Sequence, residues 1–444
     1  MPKRVKRIVL QFMVVAFTTA VAYGLNVVGI LPIWDDLSFR GGTQNVARSV
    51  VLHRNLAIVG EVLGRPVGDQ TDVVIRGYNA TTGNLVWTDE FEGMDVRVAA
   101  FADEAIAVGA RPMPAPMEGF QNIEMRGYDL KQGTLRWTRQ TRMTGPQAVL
   151  VRNGKLILVG YDEVFAPNGV LGRIRVFDAS VGIPLWDAVI EDANPIAPDT
   201  AFWDVDDSGR FIIAVGSVQH GLDRDLVLRS YRLRDGHLRW EHTESHVAPF
   251  GVRVVNDTAY VAGSENQPGN LNEPVVTYLA AFDIGDGTRE WKANPSPNES
   301  AFTAIAATAS TVVVAGLLGH IEAHDALTGN LLWSAKGTTE EGALESIREL
   351  LAVGASTIAV GNIDFNIRDH QAFIRVYDES GRIVAEDKRS TGQSSSYVDA
   401  ATDRDFHRLV AVGSIGGITG GALVQAYDLI TKHRNSDQKT EVEP

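Results

Sequence analysis

A few stretches of this 444-residue chain carry side chains whose type and spacing could do chemistry. Asp204-Val205-Asp206-Asp207-Ser208-Gly209 spaces oxygen donors as D-x-D-x-S-G, the opening of a calcium loop. Such a loop ends on a bidentate acid at its twelfth position, which here is Val215. The apolar run from Phe211 to Val215 follows at once, so the stretch reads as a hairpin turn. His320 and His324 are four apart, but they fall in a strand pattern and on the two sides of a hairpin arm, not on a helix face. Adjacent acids such as Asp35-Asp36, Asp206-Asp207 and Glu340-Glu341 point to opposite faces of a strand and make no acid/base pair. The chain has no G-x-S-x-G elbow, no phosphate loop and no H-E-x-x-H. The expectation is therefore no catalytic residue, no metal ligand and no cofactor-binding residue. One stretch suits recognition instead. Between Arg111 and Phe120, three prolines stiffen a loop that displays Met113, Met117 and Phe120. It reads as a partner-binding finger or as a loop folded over its own unit.

These segments must be positioned by a repeated element, clearest at Tyr128-Asp129-Leu130-Lys131-Gln132-Gly133-Thr134-Leu135-Arg136-Trp137. The phrase recurs at Tyr78/Gly83/Trp87, Phe177/Gly182/Trp186, Tyr231/Gly236/Trp240, Phe282/Gly287/Trp291 and His324/Gly329/Trp333. Alternating residues precede each aromatic, as in a strand; the glycine supplies the positive φ of a tight turn, and the tryptophan lies on the returning strand. The Asp or Asn after the aromatic accepts hydrogen bonds from the turn backbone. Burying one indole removes ~150–250 Å² from water, worth at most ~4–6 kcal/mol. Indoles at one offset imply one job, filling the seam between neighbouring sheets. Two copies, at Tyr377-Asp378 and Tyr427-Asp428, lack the tryptophan.

An apolar run ending in glycine precedes each hairpin, at Gly60, Gly109, Gly160, Gly216, Gly263, Gly316, Gly361 and Gly413. Runs without alternation suit strands covered on both faces. The glycines recur about every 50 residues with strand signals only, which predicts an all-β fold: an eight-bladed β-propeller of four-stranded antiparallel blades. The last unit lacks an outer strand. Gly29-Ile30-Leu31-Pro32-Ile33-Trp34-Asp35-Asp36 matches Gly182–Asp187 with one residue added, so the segment Ile33–Phe39 is expected to close the ring, with Trp34 as a further seam residue.

The domain reading is then a signal peptide or membrane anchor at 1–22, a leader and closing strand at 23–45, the propeller at 46–434 and a polar tail at 435–444. Lys3, Arg4, Lys6 and Arg7 precede an apolar stretch from Ile8 to Ala22, a secretory layout that places the propeller outside the cytoplasm, whether cleaved or retained as an anchor. Membrane contact is expected only through this segment, and the ring is expected to be monomeric. The net charge is −14 although the first 22 residues carry four positive charges and no negative ones, so nucleic acid is excluded as a natural partner. The absence of cysteine excludes disulfides, thiolate metal sites and a lipidated N-terminal cysteine. Loops between each apolar run and the following hairpin emerge on one end of the disc, where function is expected.

The Tyr/Phe-Asp-x-x-x-Gly-x-x-x-Trp phrase, preceded by the apolar run ending in glycine, resembles the pyrroloquinoline-quinone (PQQ)-type propeller repeat over nearly all of residues 46–434. That resemblance implies either of two groups. One is the PQQ- and calcium-dependent quinoprotein dehydrogenases; neither base nor calcium ligands can be placed on this chain. The other is similar to the propeller lipoprotein of the outer-membrane β-barrel assembly machinery, a scaffold without cofactor whose lipidated cysteine this chain lacks. The leading expectation is a non-catalytic extracytoplasmic scaffold for an envelope protein or peptide, with no cofactor. The alternatives are a quinoprotein dehydrogenase and a small-ligand or glycan-binding module.

Overall fold

The computed structural model describes residues 25–38, 45–65, 71–112, 121–164, 169–190, 199–220, 223–265, 275–294, 296, 301–316, 318–337, 343–366, 369–389, 395–403, 405, 407–416 and 420–433. The segments 1–22 and 435–444 lie outside the described residues. Among the described residues all regular elements are strands, and they form eight antiparallel sheets of four.

Blade 1 comprises Asn45–His53, Leu56–Gly64, Thr71–Asn79 and Leu85–Glu92, from inside to outside. Blades 2 to 7 repeat this order over residues 95–141, 145–189, 200–244, 247–292, 302–336 and 344–389. Blade 8 is composite. Ser395–Thr402, Arg408–Ile415 and Gly421–His433 are completed on the outside by Leu25–Ser38. Each innermost strand packs on the next, and that of blade 8 packs on that of blade 1, so the ring closes.

The closing strand is longer than the Ile33–Phe39 segment expected from the repeat. Its ladder runs from Leu25 opposite His433 to Ser38 opposite Ala422. The extra length has a partner of its own. Val27 is buried with Val353 and Ile358 of blade 7, and its N–H donates to Ser356 Oγ at 3.0 Å.

The core is divided into eight apolar clusters, each drawn from two consecutive blades. Ile58, Ile75 and Trp87 of blade 1 pack with Val96, Ala105 and Tyr128 of blade 2, while Val59, Val74 and Tyr78 pack with Val410, Val412 and Val424 of blade 8. A blade therefore buries both faces, which accounts for the unalternating runs.

The tryptophan of each copy lies across the seam, against the turn glycine of the following blade. Trp87 stacks on Tyr128 at 5.5 Å between ring centres, and its indole N–H donates to Leu130 O at 2.9 Å. Trp34, Trp186, Trp240 and Trp291 donate likewise to Ala80, Leu233, Ile284 and Ala326 of the following blade. Trp137 and Trp333 lie on Gly182 and Gly381 of their following blades. Trp87 and Trp137 are buried; Trp34, Trp186, Trp240, Trp291 and Trp333 are half-buried, because the outer strand that carries them has water on its far side. Blade 7 has Ala385 where tryptophan would stand. There the seam is polar: Tyr427 Oη donates to Asp387 at 2.8 Å, and Arg389 and Tyr397 both donate to Gln425 Oε1 at 2.6 Å.

Candidate functional site: the axial channel and the loop-bearing face

In an antiparallel meander the first and third turns of each blade share one end, while the second connection and the link to the next blade share the other. The Arg111–Phe120 loop joins Glu104–Pro112 to Gln121–Asp129 and so belongs to the second set. Met113, Met117 and Phe120 lie outside the described residues. The chain enters the ring at the opposite end, where Leu25 pairs with His433.

The innermost strand of every blade is an edge whose backbone amides face the axis. Unpaired edge amides need partners. Side chains from the preceding blade supply them. Ser49 Oγ accepts from Val98 N at 3.2 Å, Asp204 from Val252 N at 3.0 Å, Asp206 from Val254 N at 2.8 Å and Asp399 from Val50 N at 2.9 Å. Asp204 and Asp206 thus leave the sequence stretch that resembles a calcium loop to serve blade 5. Asp207 Oδ1 accepts from Gly209 N at 2.6 Å, in the expected hairpin turn.

Arg253 of blade 5 reaches Asp204 of blade 4 at 2.8 Å and Glu349 of blade 7 at 3.7 Å. It passes blade 6, whose innermost strand, Phe302–Ala307, has no charged side chain. The Arg253 and Glu349 side chains retain 32% and 27% exposure, so they stand in a wet channel and not inside a sheet. Burial still pushes Glu349 up to about 8, against the pull of Arg253. Burial likewise raises Asp206 and Asp399 to about 6, against the backbone amides they accept from. Among the described residues no three acidic or imidazole groups converge to hold a metal ion. Backbone amides engage the channel carboxylates Asp204, Asp206 and Asp399, and Arg253 engages Asp204 and Glu349.

Nearer the loop-bearing end, the innermost strands of seven blades carry a bulge. A bulge re-aims one side chain and leaves it unpaired in the ladder. The bulged positions are Arg48, Gln147, Trp203, Phe250, Thr303, Arg348 and Val398. Arg48, Phe250 and Arg348 are exposed. Trp203 is half-buried, donates to Ser217 Oγ at 2.9 Å and lies under Arg224. That four of these seven positions, Arg48, Trp203, Phe250 and Arg348, are cationic or aromatic was not anticipated. The available signal was Trp203, which has no place in the repeat.

His320 and His324 correct an expectation. They do not straddle a hairpin arm; both lie on the strand His320–Asp325, on the same face as Glu322, because side chains in a strand repeat every two residues. Both contact the Glu322 carboxylate, and all three are buried.

Eight meandering four-stranded blades around a wet channel define a PQQ-like β-propeller. The chain belongs to the family described as outer membrane protein assembly factor BamB, whose sequence pattern matches residues 70–266 and 272–431. The crystal structure of BamB from Moraxella catarrhalis is similar in fold, with a TM-score of 0.55 and 14% identity over 90% of this chain and 99% of that one. The computationally designed Ika8 protein gives a TM-score of 0.55 and 13% identity over 88% of this chain and 100% of its own. No curated protein sequence matches the chain.

Proposed function

We propose that this protein is a non-catalytic, extracytoplasmic scaffold that binds a protein or peptide of the cell envelope through the loop-bearing face. The observation that carries the reading is the asymmetry of the disc. One end gathers the long connections and the bulged positions Arg48, Trp203, Phe250 and Arg348, while the other holds short hairpins and the entry of the chain at Leu25. An N-terminal tether, of the kind the first 22 residues describe, leaves that second end and turns the loops away from the membrane. Exposed Phe250 and the methionines of the Arg111–Phe120 loop are the apolar anchors, and Arg48 and Arg348 give the rim its charge; the partner is an extended segment or a helix with an apolar stripe and acidic flanks.

The test is site-specific photocrosslinking in the native envelope. A photoreactive residue at Phe250 or Met117 should yield one discrete protein adduct, and one at Lys131, in a hairpin of the opposite end, should yield none. Equal crosslinking from both ends overturns the reading. So does a chromophore with dye-reducing activity after reconstitution with quinone and calcium, which would establish the dehydrogenase alternative. Ligand-induced thermal stabilisation by a glycan or small molecule, without a protein adduct, would establish the third.

A further inference from the structure

Acids outnumber bases in this chain, with 55 Asp and Glu against 41 Lys and Arg, so a guanidinium has carboxylates in excess around it. Almost every arginine is accordingly engaged. Among the described residues, Arg48, Arg210 and Arg348 are the arginines whose side chains have neither a hydrogen bond nor an ion pair. All three are exposed. Arg210 lies between Thr200–Asp207 and Phe211–His220, in the first turn of blade 4, at the end where the chain enters. Arg48 and Arg348 share one place in the repeat, the bulge of the innermost strand, in blades 1 and 7.

Strand pairing sets their height in the channel. Arg348 follows Ile347, which lies opposite Gly361. Trp203 follows Phe202, opposite Gly216, and Phe250 follows Pro249, opposite Gly263. Arg48 precedes Ser49, opposite Gly60. These glycines end the same apolar run in each blade, so the four side chains leave the wall within about one residue, ~3.3 Å, of one level. Ring order sets their sides. Blades 7 and 1 flank blade 8; across the axis, blade 4 faces blade 8 and blade 5 faces blade 1. The corresponding residues Gln147 of blade 3, Thr303 of blade 6 and Val398 of blade 8 are uncharged. The mouth therefore has a cationic side, with Arg48 and Arg348, and an apolar side, with exposed Phe250 beside half-buried Trp203.

The acids nearest to this pair are committed elsewhere. Glu349, next to Arg348 in sequence, reaches Arg253 at 3.7 Å. Asp399, on the blade between them, accepts from Val50 N at 2.9 Å and from Ala400 N at 2.8 Å. Blade 2 places Arg97 next to the residue paired with its own glycine, Gly109, and Asp95 holds that arginine at 3.0 Å. Arg48 and Arg348 alone keep every guanidinium donor of this mouth free for a ligand.

We infer that Arg48 and Arg348 form a carboxylate site at the mouth of the channel, filled by an acidic side chain or the terminal carboxylate of a peptide segment whose apolar side chain packs on Phe250. This rests on the reading of the loop-bearing face as the partner-binding one, and it names what the partner must carry. A guanidinium takes a carboxylate through two parallel hydrogen bonds, which fixes orientation as well as sign. With the cations on one side of the axis and the exposed ring on the other, one segment lying across the mouth meets both.

The protein adduct formed by a photoreactive residue at Phe250 supplies the test. Arg48→Glu combined with Arg348→Glu should lower its yield about tenfold or more. Arg210→Glu, at the opposite end, should leave the yield unchanged. Neither mouth arginine has a partner to lose, so the double variant should keep the melting temperature of the parent chain. A full yield from the folded double variant overturns the carboxylate site and leaves the scaffold reading standing; no adduct from the parent chain overturns both. A second arm leaves this chain unaltered. Mass spectrometry of the adduct identifies the crosslinked segment of the partner. Replacing its Asp and Glu by Asn and Gln, or extending its C-terminus by one residue, should lower the yield as the double variant does, and the change that does so tells a side-chain carboxylate from a terminal one. If neither change lowers it, the site is overturned.

Discussion

The indole of Trp34, from the start of the chain, lies against Gly83 of the first blade. A Cβ at Gly83 would come within 2.7 Å of the indole Cγ, and the indole N–H donates to Ala80 O at 2.9 Å. Gly83 has φ +74°, so two separate requirements, a left-handed turn and room for a ring, fall on one residue. The same pairing joins Trp186 to Gly236 and Trp291 to Gly329. The glycine that makes one hairpin is thus the floor on which the preceding blade rests.

Gly83→Ala should cost ~2–5 kcal/mol, combining the left-handed penalty of ~1–2 kcal/mol with overpacking of ~1–3 kcal/mol. The check is the urea midpoint at unchanged slope. A shift equivalent to less than ~0.5 kcal/mol would remove the floor argument.

Trp87→Ala should cost ~3–5 kcal/mol, since the ring is 7% exposed and its N–H is bonded. Trp291→Ala should cost less, about 2–3 kcal/mol, because its ring is half-buried and keeps contact with water. The order of the two denaturation midpoints is the readout, and a reversed order contradicts the seam geometry.

Asp399→Ala leaves Val50 N without its acceptor and should destabilise by ~1–3 kcal/mol. Asp399→Asn retains an acceptor oxygen and no buried charge, and should be near neutral. If both variants behave alike in thermal unfolding, the carboxylate does not cap the inner edge.

The pH dependence of stability has two limbs of opposite sign. Burial raises Glu61 to about 7, Asp206 and Asp399 to about 6 and Glu349 to about 8, so the folded chain holds protons there that the unfolded chain has released. That contribution is full below the ordinary carboxylate range and is lost as pH rises through 6 to 8. Hydrogen bonds lower Glu322, Glu244 and Asp378 to about 2 against burial; their contribution is present above the ordinary carboxylate range and is lost as pH falls towards 2. Melting temperature against pH should peak between these limbs, at about pH 5. Glu349→Gln should flatten the alkaline limb and leave the acid one unchanged.

Much of this molecule is legible in one dimension because it repeats. The apolar run ending at Gly60 and the phrase Tyr78/Gly83/Trp87 recur at constant offset, and a repeated offset is visible wherever the same local geometry recurs. Even the composite eighth blade could be foreseen, since the missing tryptophan after Tyr427 and the stray Trp34 complement each other. The length of the closing strand could not, because it depends on Val27 meeting Val353, which lies far along the chain.

The channel was not legible for the same physical reason. Asp204, Asp399 and Glu349 acquire meaning only when the ring brings the amides of blades 5 and 1 and the guanidinium of Arg253 to them. Local pattern determined the blades, their number and the residues that wedge them, because hairpins and strand faces are made from neighbours in sequence. Closure of the ring decided which charges share the axis and which amides they cap, because those contacts join residues that the chain itself keeps far apart.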